Sequence, residues 1–166
     1  MRNIVTDLTA TKANLLAVFS EIDPQDLNSL PFEGSWTAAQ VGEHLLKATG
    51  VGVFYAETEA SQRQMDEKVQ ALSDIFLNFD LKLTPPASIV PSDQPHEKDV
   101  LIKQLDEVYT SAIEAAKTLD LSAICLSYVI PAFGPMTRLE FLWLFNVHTI
   151  RHIHQLKNIT VALVKV

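Results

Sequence analysis

Four prolines fall between Thr84 and Pro95, namely Pro85, Pro86, Pro91 and Pro95, and no helix interior can run through them. Each removes an amide donor and fixes φ, so this stretch must be an extended connection. It splits the chain into two parts, neither of which carries a complete core of its own. The stretch therefore reads as a crossover within one domain spanning residues 1–166, not as a domain linker. A connection of that length lets the helices on either side of it run parallel.

Helical periodicity governs both parts. Ile4, Leu8, Leu15 and Phe19 recur at spacings of four and seven, with Val5 and Leu16 widening the stripe until Asp23-Pro24 stops it. After a loop through Pro31 and Gly34, Thr37 and Gln40 form a capping-box pattern that opens a second helix. Its inward stripe reads Val41, His44, Leu45, Ala48, Gly52 and Tyr55. The pattern weakens from Ser61, although Val69 to Phe79 predicts a further helical stretch.

Beyond the prolines, Glu97 to Leu119 predicts a third helix facing inward with Val100, Leu101, Leu105, Val108, Ala112, Ala115 and Leu119. LSAICLSYVIPAFGP is an irregular lead-in, and Thr137 with Glu140 is a second capping box that opens the fourth helix. That helix is apolar nearly all round through Phe145. The expected architecture is all-α, a four-helix bundle with a long crossover between its second and third helices.

Charge and cysteine usage narrow the function classes. A net charge of -7 with no cluster of Lys and Arg argues against nucleic acid or anionic membrane as partner. A single cysteine, Cys125, excludes a disulfide framework and any multi-cysteine zinc site, and suits a reducing cytoplasm. Asp7, Thr9 and Lys12 interrupt the place where a signal peptide would be apolar. The most apolar run, Leu139 to Val147, is far too short to span a bilayer. A cytoplasmic protein outside the membrane is expected.

The chemistry-bearing residues are histidines. His148 and His152, four apart on the fourth helix, present both imidazoles on one face, the geometry a shared metal ion needs. Phe141, Phe145 and Ile159 complete that face, so solvent does not account for the pair. His44 adds a third imidazole from the apolar stripe of another helix. Alone it would read as a hydrogen-bonded core residue; with the pair it favours metal. Three neutral imidazoles without a fourth protein ligand describe an open, catalytic-type site. A di-iron carboxylate site would need Glu-x-x-His, but Val41, Phe145 and Thr149 precede these histidines by three. A zincin would need Glu where Thr149 follows His148.

Two segments resemble a known family. SWTAAQVGEHLL is similar to the DinB/YfiT signature of a Trp just before a helix that carries a His-Leu pair. FGPMTRLEFLWLFNVHTIRHIHQL is similar to its closing signature, His-x-x-x-His followed three residues later by Gln155. The resemblance implies an up-down-down-up bundle with one divalent metal, often nickel or zinc, near one end, its ligands falling on His44, His148 and His152. It further implies a metal-dependent enzyme acting on a small molecule, either a transferase that uses a low-molecular-weight thiol as cosubstrate or a metal-assisted hydrolase. Relatives include thiol-dependent S-transferases and a mycothiol-dependent isomerase. A non-catalytic binding or stress-response module with a structural metal is the alternative. Family members often carry a second His directly before the last ligand, where this chain has Arg151.

The remaining candidates read more plainly. His154 lies roughly 200° round the helix from His152 and should point away from the metal. His96 should be exposed, and Gln155, which shares the face of His148, either supports the site or simply satisfies a backbone group. Trp36 reads as a staple of its loop, Cys125 as a small core filler, and Glu57, Glu59, Asp66 and Glu67 as a solvated face. The surplus apolar surface of the fourth helix, with the family's habit of dimerising, predicts a homodimer.

Overall fold

The computed structural model describes residues 3–50 and 52–164. Helix α1 (Ile4–Glu21) starts on Asn3, whose side-chain oxygen accepts from the amides of Val5 and Thr6. Helix α2 (Ala38–Ala48) starts on the capping box read from the sequence. Gln40 N donates to Thr37 Oγ1 at 3.1 Å, and Thr37 N donates to Gln40 Oε1 at 3.0 Å. After α3 (Gly52–Tyr55), β1 (Thr58–Glu59) and α4 (Val69–Phe76), the proline-rich stretch crosses over with a single 3-10 turn at Ala87–Ile89. Then come α5 (Lys98–Thr118), β2 (Ile124–Cys125) and α6 (Arg138–Val164). The second capping box also forms, Thr137 N donating to Glu140 Oε2 at 2.9 Å and Glu140 N to Thr137 Oγ1 at 3.2 Å.

Helix directions follow from side chains that meet. Lys98 at the start of α5 donates to the carbonyls of Ser20 and Ile22 at the end of α1, and Lys12 pairs with Asp106 at 2.7 Å, so α1 and α5 are antiparallel. Gly42 packs on Leu101 while Tyr55 reaches the carbonyl of Ser111, so the chain through α2 and α3 runs with α5. Arg138 at the start of α6 bonds the carbonyls of Asp120 and Phe54, which sets α6 against both. The order is up-down-down-up. Both α1 and α2 pack against both α5 and α6, so α1 and α2 occupy opposite corners of the bundle.

One continuous core fills the middle, built on Leu8, Leu15, Phe19, Leu45, Leu101, Leu105, Tyr109, Leu142 and Leu156. Gly42 lets α2 lie close against α5: a Cβ there would lie 2.6 Å from Leu101 Cδ2. Helix α4 packs on α6 from outside, Trp143 Nε1 donating to Ser73 Oγ at 2.8 Å. The apolar faces of α6 beyond the bundle core are thereby partly covered within the chain itself. Among the described residues, no helix is long and apolar enough to cross a membrane.

Four sequence expectations need correction. The stripe of α2 does not continue to Gly52 and Tyr55, because Gly50 adopts a φ of +48° that ends the helix, and Tyr55 is exposed. Val100 is 55% exposed, not inward, since Leu101 next to it takes the core position about 100° round α5. The α4 helix stops at Phe76, and Phe79 is exposed. The lead-in to α6 is not wholly irregular: β2 pairs antiparallel with β1, Thr58 opposite Cys125.

Candidate metal centre

His44 lies in the middle turns of α2, and His148 and His152 one turn apart on α6, the helix antiparallel to it. The three rings converge, with centroids 5.1, 4.6 and 4.5 Å apart for the pairs His44–His148, His44–His152 and His148–His152. His148 Nε2 lies 3.1 Å from His44 Nε2 and 3.0 Å from His152 Nε2. Two nitrogens bound to one tetrahedral ion at ~2.0–2.1 Å would stand ~3.3 Å apart. The three ligand atoms are therefore placed closely enough to share one ion.

The proton inventory makes the same point independently. His44 Nδ1 lies 2.8 Å from the carbonyl oxygen of Ile89, which can only accept, so Nδ1 carries the hydrogen and Nε2 presents a lone pair. His152 Nδ1 donates in the same way to Gln155 Oε1 at 2.8 Å, leaving its Nε2 bare as well. His148 has one Nε2 hydrogen at most and can satisfy only one of the two neighbours. At least one pair of lone pairs faces another across about 3 Å, an arrangement that a cation relieves and that nothing else in the triad does.

The electrostatics keep the rings neutral, as ligation requires. Burial pulls His148 well below the ordinary imidazole range, and the charges that His152, His44 and Arg151 would carry pull it further. Burial also lowers His152 to about 4, with His44 and Arg151 adding to the shift and the Gln155 bond opposing it. His44 is lowered by burial, against a partial rise from the Ile89 carbonyl.

Aromatic side chains wall the cluster. The Trp36 ring lies 4.9 Å from His44 and stacks at 6.4 Å over His152, while Phe76 meets His148 edge-on at 5.7 Å. Trp36 thus lies against two of the three imidazoles, a place its reading as a loop staple does not include; its position directly before the Thr37 cap of the helix that carries His44 is the available signal. Gln155 supports His152, not His148 with which it shares a helical face. His96 is not free in solvent: its Nε2 lies 3.0 Å from Glu43 Oε2. His154 is exposed, stacked on Phe79 at 4.2 Å and apart from the triad. Cys125 is buried, its thiol pushed up by desolvation, in keeping with a core filler.

The profile of the DinB superfamily matches residues 7–156. Among solved structures, TT2238, a four-helix bundle protein, superposes with a TM-score of 0.57 at 20% identity, covering 93% of this chain and 96% of that one. At that identity the likeness is one of fold. Comparison with curated proteins finds no match.

Proposed function

Because this chain belongs to the DinB superfamily, we propose that His44, His148 and His152 hold one divalent ion and that the protein is a metal-dependent transferase using a low-molecular-weight thiol as cosubstrate. The observation that carries the reading is the convergence of three Nε2 atoms whose own hydrogens cannot satisfy one another. Zinc or nickel is the ion proposed, in keeping with a donor set of imidazoles, which suits both, and with no thiolate or carboxylate in the cluster among the described residues. Bound there, the ion supplies Lewis acidity that holds a thiol as its thiolate or lowers the pKa of water to about 7.

The protein's own part is placement. Ile89 and Gln155 hold two imidazoles in the tautomer that turns Nε2 inward. Trp36 and Phe76 shield the cluster from water on two sides. Three protein ligands leave positions for an exogenous group, which distinguishes the arrangement from a closed four-ligand site. Transfer of a thiol to a small electrophile should proceed with metal-loaded protein, stop after chelation and return on reloading. Conjugation that survives complete metal removal contradicts the mechanism.

A second reading has one observation in its favour: the ligands come from two antiparallel helices, and His44 is also bonded to the crossover, so an ion would clamp three segments together. On that reading the protein is a binding module. Metal would raise its melting temperature while no thiol reacts faster than in buffer.

A further inference from the structure

The crossover between α4 and α5 is fastened at both ends by residues that flank the histidines. Arg151, directly before His152, donates through Nη1 to the carbonyls of Phe76 at 3.4 Å and Asn78 at 2.7 Å, and through Nη2 to the carbonyl of Leu81. Glu43, directly before His44, accepts through Oε2 from both the amide and the hydroxyl of Ser92 at 3.0 Å, and meets His96 Nε2 at the same distance. Lys47, one turn past Glu43 and paired with it at 2.8 Å, donates to the carbonyl of Val90 at 2.9 Å. Between these anchors lies Ile89, whose carbonyl takes the His44 Nδ1 hydrogen.

We propose that Arg151 and Glu43 are positioning residues of the histidine centre: they pin the crossover to the two ligand-bearing helices and so hold the Ile89 carbonyl that fixes the tautomer and tilt of His44. This rests on the reading that the triad binds a metal ion. The geometry supplies the reason. The Ile89 carbonyl closes a single 3-10 turn in a segment rich in proline, with no longer helix or sheet around it, so side chains of the neighbouring helices fasten the turn in place. Glu43 on α2 and Arg151 on α6 are each adjacent in sequence to a ligand, and Lys47, three residues past His44, adds the bond to Val90. The departure at Arg151 from the expected histidine thus acquires a role, because a guanidinium reaches three carbonyls where an imidazole offers two nitrogens. Capping the carboxyl end of α4 accounts for the Phe76 contact alone; Asn78 and Leu81 lie beyond that helix.

The coupling is reciprocal, as linkage requires: a crossover that favours metal is a crossover that metal orders. Partners that orient a ligating histidine typically affect metal affinity by about 10–100-fold. The test uses wild type, Arg151→Ala, Arg151→Lys and Glu43→Ala, with three readouts. In metal-free protein, imidazole nitrogen NMR should show His44 as the Nδ1–H tautomer in wild type and as a mixture in the two alanine variants. Zinc affinity should fall about 10–100-fold in those variants. Zinc should slow amide exchange of residues 84–92 in wild type more than in the variants. Arg151→Lys keeps the charge but not the fork, and should fall between; it also serves if the alanine variant fails to fold. A wild-type tautomer and wild-type zinc affinity in folded variants overturn the proposal while leaving the metal site intact. Wild-type protein that binds no zinc overturns the metal reading, and the tautomer measurement, made without metal, then decides the positioning role alone: a wild-type tautomer in the folded variants overturns it.

Discussion

Glu140 shows how one buried side chain can organise the approach to α6. Its carboxylate is fully buried, accepts both Arg63 guanidinium nitrogens at 2.6 Å, and also takes the amides of Lys68 and Thr137. Burial alone would raise its pKa, but these donors outweigh it and hold the carboxyl below its ordinary value of about 4.5. The unfolded chain therefore takes up this proton first as acid is added. Stability from Glu140 is fully present above pH about 4.5 and is lost as pH falls from there through the folded-state value. Glu140→Gln should flatten that acid limb in denaturation measured against pH; an unchanged limb contradicts the assignment. Arg63→Ala should cost about 3–5 kcal/mol at neutral pH, because it strands a buried charge.

At the scale of elements, capping decides where the ligand helices begin. Thr37→Ala removes one half of a formed capping box and should lower stability by about 1 kcal/mol in chemical denaturation, with zinc affinity little changed, since His44 lies two turns further on. A loss below about 0.3 kcal/mol would deny the cap its role. Both capping boxes, the histidine spacing and the crossover were legible in the sequence because each leaves a local mark: a residue pair three apart, a spacing of four, a run of prolines. The end of α2 was misjudged because an apolar stripe does not reveal that Gly50 turns left-handed. The support of the centre by Ile89, Arg151 and Glu43 was not legible at all. These bonds join residues 45 to 75 apart through main-chain carbonyls and a serine, and such contacts have no period to read.

At the scale of the molecule, an ion at the triad would join α2, α6 and the crossover, and so would couple binding to global stability. An ion that binds only the folded chain, at one hundred times its Kd, adds about 2.7 kcal/mol, which for a domain of this size raises Tm by about 5–10 °C. Chelation should reverse the shift, and a Tm indifferent to both would contradict the coupling. The central claim, that three histidines from two helices hold one divalent ion, is tested most directly by elemental analysis of freshly purified protein beside two variants. Wild type and His154→Ala should each carry about one divalent ion per chain, and His148→Ala none, because the cluster has no spare ligand among the described residues. Wild type without metal, or His148→Ala that keeps it in full, would contradict the account.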